Sequence, residues 1–144
     1  LRILWVHIIP FWQEPLREIF NFSPRYQIIA ADLSLDSFSE IDENDIYKST
    51  ARKLLTNAYG GSIERRAANA LQMARQLKAD GVIYFNHWGC KATLGGAHYT
   101  KQLLQGAGFP TVVIDGDGCD RNNSNDGQIL TRVQAFLEML EERK

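Results

Sequence analysis

The stretch GVIYFNHWGCK, Gly81 to Lys91, holds an unbroken apolar run from Val82 to Phe85. It then stops on Asn86, His87, Trp88, Gly89 and Cys90. β-Branched and aromatic residues without polar alternation describe a strand covered on both faces, as in a parallel sheet. A plain strand exit needs only turn residues, whereas this one carries an imidazole, an indole and a thiol. The carboxyl ends of parallel strands are where α/β proteins place their chemistry.

Three more runs share this character: RILWVHII (Arg2 to Ile9), QIIAAD (Gln27 to Asp32) and PTVVID (Pro110 to Asp115). Helical patterns lie between them. Ile63, Ala67, Ala70, Leu71, Ala74 and Leu77 recur at helix spacing, with Ser62 placed as N-cap. Ile129, Val133, Phe136, Leu137 and Leu140 form a second stripe. A shorter helix is expected from Ala97 to Gln105, where GAGFP supplies a helix stop and a strand start. Helix also fits Glu14 to Asn21 and Asp45 to Ala58, while the polar, acidic Leu33 to Tyr47 reads as a long loop. The order β-α-β-α-α-β-α-β-α predicts a three-layer, doubly wound α/β domain, flavodoxin-like, with a four-stranded and mainly parallel sheet. Right-handed crossovers then bring all four strand ends to one edge.

The chain's 144 residues fit one such domain. A net charge of −1 gives no electrostatic reason to expect nucleic acid or an anionic membrane. No apolar run approaches the ~20 residues of a membrane span, and no signal-peptide pattern is present, so a cytoplasmic location is expected. The two cysteines, Cys90 and Cys119, form no CxxC pair and are expected to be reduced. The start at Leu1, without an initiator Met, is expected of a piece of a longer protein.

Of the four strand exits, the third and fourth carry groups suited to catalysis or metal binding. Cys90 follows a glycine and precedes a helix, an environment that favours the thiolate and soft-metal ligation; an inert buried cysteine is the alternative. His87 is an acid, a base or a packed histidine, and Trp88 a pocket wall. DGDGCDRNNSND (Asp115 to Asp126) resembles an EF-hand loop only at its first and third places; Cys119, Asp120 and Asp126 stand where oxygen, Gly and Glu are required. The loop then supplies Asp115 or Asp117 to a ligand, or is a plain turn whose Asn122 to Asp126 cap the last helix. LGGAH (Leu94 to His98) offers a weak anion site if it opens a helix. Arg132 faces that loop or the solvent.

The runs ADGVIYFNHWGCK and GFPTVVIDGDGCDRNNSNDGQILTRVQAFLEML resemble the C-terminal part of the 2-hydroxyacyl-CoA dehydratase D-component family, which includes benzoyl-CoA reductase-type subunits. RILWVHIIPFW and GGSIERRAANALQMARQLKADG extend the likeness over nearly the whole chain. The resemblance implies flavodoxin-like domains and a [4Fe–4S] cluster held by three cysteines, two from an N-terminal domain and one matching Cys90. It implies radical dehydration of (R)-2-hydroxyacyl-CoA thioesters, with a second subunit and an ATP-dependent activator protein as partners. His87, Trp88, Lys91 and Asp117 are the expected surroundings of cluster or substrate. With two cysteines, this domain by itself is expected to hold no stable cluster and to be inactive. A reductase of the benzoyl-CoA type is one alternative. A non-catalytic docking or scaffold module fused to an activator is another, and upstream cysteines would distinguish it.

Overall fold

The computed structural model describes residues 1–35, 40–57, 59–123 and 126–143. Its strands are β1 (Arg2–Val6), β2 (Gln27–Ala31), β3 (Gly81–His87) and β4 (Thr111–Gly116). Its helices are α1 (Glu14–Phe20), α2 (Asp32–Leu35), α3 (Ile46–Thr56), α4 (Ile63–Gln76), α5 (Lys91–Gly106) and α6 (Asp126–Glu142). The strands form one sheet in the order β2-β1-β3-β4, and every neighbouring pair is parallel.

Strand pleating sorts the apolar runs onto two faces. Ile3, Trp5, Ile83, Phe85 and Ile114 meet Leu16 of α1 and the α6 stripe of Ile129, Val133, Phe136, Leu137 and Leu140. Leu4, Val6, Val82 and Tyr84 point the other way, onto Ala70, Met73 and Ala74 of α4 and Ala97 and Leu104 of α5. These are the three layers expected of a doubly wound fold. Trp5 is fully buried and donates its indole N–H to the Ile8 carbonyl at 2.9 Å, so its polar atom is satisfied.

Three boundaries depart from the sequence reading. β1 ends at Val6 instead of Ile9 because His7 adopts φ +77°, which no strand can continue. Helix α5 starts at Lys91, six residues before the expected Ala97. The glycines that argued for a later start are accommodated inside it by packing. A Cβ on Gly96 would lie 2.1 Å from Ile63 Cδ1, so the bare backbone lets α5 lie directly against α4. The LGGAH amides therefore lie within a helix and cannot form an anion site at its start. Finally, part of the expected loop Leu33 to Tyr47 is helix α2, and Ile46 already opens α3 on an Asp45 cap. Residues 36–39 of that loop, and the end of the expected helix at Ala58, lie outside the described residues.

Other boundaries agree closely. Ser62 occupies the N-cap position of α4, although its side chain makes no cap hydrogen bond to the backbone. Gly108 supplies the expected helix stop, with φ +90° and its amide on Gln105 O.

Candidate functional site

Successive connections leave the sheet in opposite directions from β1 and β3, so the strand order reverses between them. In open α/β sheets this crevice is where ligands bind. The rim formed by the four strand ends carries Asp32 after β2, His7 after β1, His87 on β3, and Asp115, Asp117 and Cys119 on and after β4. The histidine rings span the reversal point, stacked with centroids 6.3 Å apart. The sequence reading credited only the β3 and β4 exits with chemically useful groups. The fold adds His7, just past the end of β1, and Asp32, just past the end of β2.

On the β1–β2 side His7 and Asp32 are buried. The His7 amide donates to Asp32 Oδ1 at 2.7 Å, and the Tyr59 hydroxyl reaches the same carboxylate at 3.1 and 3.3 Å. The Arg66 guanidinium lies 4.3 Å from the Tyr59 ring centroid. Burial pushes the Asp32 carboxyl pKa up, against these hydrogen bonds and the nearby Arg66 charge. Burial, with the charges of Arg66 and His87, lowers the His7 pKa from 6.5 to about 4, so its ring is neutral. The left-handed backbone of His7 is held by that buried hydrogen bond, which offsets its steric cost.

On the β3–β4 side the groups face outward. The Gly118 amide donates to His87 Nδ1 at 2.9 Å. A nitrogen accepting that bond carries no proton, so the neutral ring bears its hydrogen on Nε2. That atom faces Cys119 Sγ at 3.7 Å. Asp117 organises the loop: its Oδ1 accepts the amides of Cys119 and Asp120 at 2.9 and 3.0 Å, and its Oδ2 accepts from Asn123. These bonds hold the Asp117 carboxyl below its usual pKa. Asp117 thus caps its own turn with both carboxylate oxygens. Arg132 faces this loop, 3.4 Å from Asp115, whose other oxygen accepts from the Asn86 amide at 2.7 Å.

Cys90 is the N-cap residue of α5, half-buried on the same rim, and Cys119 is exposed; both are free thiols. Burial raises the Cys90 pKa, but the Thr93 hydroxyl, the Thr93 and Ala92 amides and the Arg66 charge together bring it below the ordinary thiol value. Thr93 is itself fixed, since its hydroxyl bonds the Cys90 carbonyl at 3.1 Å and its carbonyl accepts from the Tyr84 hydroxyl. Trp88 is 46% exposed beside the thiol, and Lys91, also exposed, opens the helix. The sequence-predicted residues His87, Trp88, Cys90 and Lys91 therefore share one strand-to-helix turn, with Asp117 3.7 Å from His87.

Ligand atoms of His87, Asp117 and Cys119 lie within 4.8 Å of one another. Nδ1 of His87 and Oδ1 of Asp117 already accept backbone amides, which leaves His87 Nε2, Cys119 Sγ and the further lone pairs of the Asp117 carboxylate as the ligand atoms of this group. Cys90 is a second soft donor on the same rim.

The molecule is thus a three-layer α/β protein with a half-buried thiol, Cys90, on the rim of its strand ends. Over residues 1–140 the sequence matches the family described as 2-hydroxyglutaryl-CoA dehydratase, D-component, and the chain belongs to that family. Along 81 residues, 56% of the chain, it is 35% identical to the alpha subunit of (R)-2-hydroxyglutaryl-CoA dehydratase from Acidaminococcus fermentans. Along 111 residues, 69% of the chain, it is 28% identical to Translocase of chloroplast 34 from Arabidopsis thaliana. These matches span 17% and 35% of the two relatives' own lengths.

Proposed function

We propose that this chain is the C-terminal, cluster-bearing domain of a longer dehydratase subunit that removes water from an (R)-2-hydroxyacyl-CoA thioester. The observation that carries the reading is Cys90, a half-buried thiol of lowered pKa capping α5 on the rim where ligands of this fold bind. Family membership supports the reaction class.

The donor set fits one corner of a [4Fe–4S] cluster. Cys90 supplies one thiolate, and the two thiols of this chain are fewer than the three or four that such a cluster needs. The remaining thiolates come from a second domain closing over the rim. When bound, the cluster supplies one-electron transfer, fed by an ATP-dependent activator. This chain's own residues do the positioning. The α5 amides and Thr93 shift the Cys90 sulfur toward its thiolate, and Trp88 walls the site from water. Lys91 places a cation beside the incoming acyl-CoA, and His87, locked by Gly118, presents a fixed N–H.

The test is anaerobic reconstitution of the full-length subunit with iron and sulfide, comparing wild type with Cys90→Ala. Iron content and the visible sulfur-to-iron absorption should fall to near background in the variant. Unchanged iron and spectrum would refute the assignment. Thr93→Val should keep the iron but bind it more weakly, read as faster loss to a chelator.

A further inference from the structure

Beneath the β1–β2 half of the rim lies a small cavity. Its polar walls are Asp32 just past β2, Tyr84 on β3, Arg66 on α4 and Thr100 on α5, and apolar side chains of β1 and α4 complete it. The room it leaves for the centre of a water molecule is about 10 Å³. One buried water needs ~10–15 Å³ on that measure, together with about two to four polar partners.

The polar walls are under-used. Asp32 and Arg66 line the same space, and the Arg66 charge bears on the Asp32 carboxyl. Yet among the described residues the two make no direct ion pair. Arg66 lies instead over the Tyr59 ring. Opposite charges that line one small space without touching point to a water between them. Thr100 is 2% exposed, and its hydroxyl makes no hydrogen bond among the described residues. A buried hydroxyl left unpaired is costly, and such groups are rare in native interiors. The Tyr84 hydroxyl gives its proton to the Thr93 carbonyl at 3.1 Å, which leaves its oxygen lone pairs open.

We propose that one water molecule occupies this cavity and bridges the Asp32 carboxylate to the Arg66 guanidinium. It donates its protons to Asp32 and to the Tyr84 oxygen, and it accepts from Arg66 and from the Thr100 hydroxyl. A metal cation would meet the Arg66 charge, and a larger ligand does not fit. The bridge has a consequence for the rim. On one side Asp32 accepts the His7 amide. On the other, Tyr84 holds Thr93, whose own hydroxyl bonds the Cys90 carbonyl. The water joins these two sets of bonds into one line, running from the end of β1 to the N-cap of α5. The inference does not depend on the reaction proposed above.

A crystal structure of the full-length protein, at a resolution that shows ordered water, is the direct test. One peak should stand in the cavity within hydrogen-bond distance of Asp32, Arg66 and Thr100. A cavity without density, or a direct Asp32–Arg66 pair closing it, overturns the proposal. The energetic test is Thr100→Val, which keeps the shape of threonine and close to its helix propensity. In a dry cavity the change removes an unpaired hydroxyl and should raise the urea midpoint. With the water bound it removes one of the water's partners, and the midpoint should fall. Only the fall agrees with the bridge. Asp32→Asn and the double variant complete a cycle between two residues that share no hydrogen bond. Their stability losses should fall short of adding, because both act through one water; simple addition would mean that nothing joins them.

Discussion

The two halves of the strand-end rim are built from similar residues and behave in opposite ways. Beyond β1 and β2, an imidazole, a carboxylate, a phenol and a guanidinium close on one another, with His7 and Asp32 buried. Beyond β3 and β4, an imidazole, a carboxylate and two thiols stay partly or fully exposed, the imidazole and the carboxylate fixed by backbone amides of the loop after β4. The first half stores its polar groups as structure; the second keeps them available. The difference teaches that chemical residue type alone does not mark a reactive site. What matters is whether the partners of a group are other buried side chains or a local backbone that leaves one face free.

The largest effect expected from breaking this contrast is on stability. Asp32→Ala strands the His7 amide and the Tyr59 hydroxyl and leaves Arg66 without its counter-charge. It should cost about 3 kcal/mol or more, read from the urea midpoint. The rate of Cys90 alkylation should change little by comparison.

A pH effect follows from His7. Its folded pKa is depressed to about 4 from an ordinary 6.5. The unfolded chain therefore binds the proton more readily, and stability present above pH 6.5 is lost as pH falls toward 4. The loss should total at most about 3 kcal/mol. Asp32, whose pKa is raised by burial, acts with the opposite sign in the same acid range. The comparison of wild type with His7→Asn isolates the histidine, because Asn tolerates the left-handed backbone and leaves the amide bond to Asp32 in place. If the two proteins show parallel stability curves between pH 6.5 and 4, the buried neutral ring is disproved.

On the open side the effects are smaller and kinetic. The pH midpoint for alkylation of Cys90 should lie below that of a free thiol, and Thr93→Val should move it up and slow the reaction at pH 7 several-fold. An unshifted midpoint in the variant would mean that the hydroxyl does not favour the thiolate. Least of all, Asp117→Ala should speed amide exchange at Cys119 and Asp120 while leaving the thermal midpoint nearly unchanged. Equal exchange rates would deny Asp117 its capping role.

Much of the framework was legible in the sequence because it follows from apolar periodicity. The four runs became four parallel strands, and the Ile129 to Leu140 stripe became the buried face of α6. The single Cys at the β3 exit was legible as well, since turn residues and an abrupt stop surround it. The early start of α5 was not. Gly95 and Gly96 read locally as breakers, and only the contact with Ile63 across another helix explains them. The pairing of His7 with Asp32 was not legible for a related reason. One lies inside an apolar run and the other at the end of a second, and what joins them is a hydrogen bond across 25 positions. A residual signal was available in Asp32, a carboxylate directly after Ile-Ile-Ala-Ala, where no solvated turn begins.

Gly96 also governs where the rim sulfur sits. It lies six residues beyond Cys90, roughly 9 Å along the axis of α5. A side chain there would wedge α5 off α4, and the helix would act as a lever whose free end is the thiol. A single added methyl would thus displace that sulfur from more than a full turn away without altering any residue in contact with it.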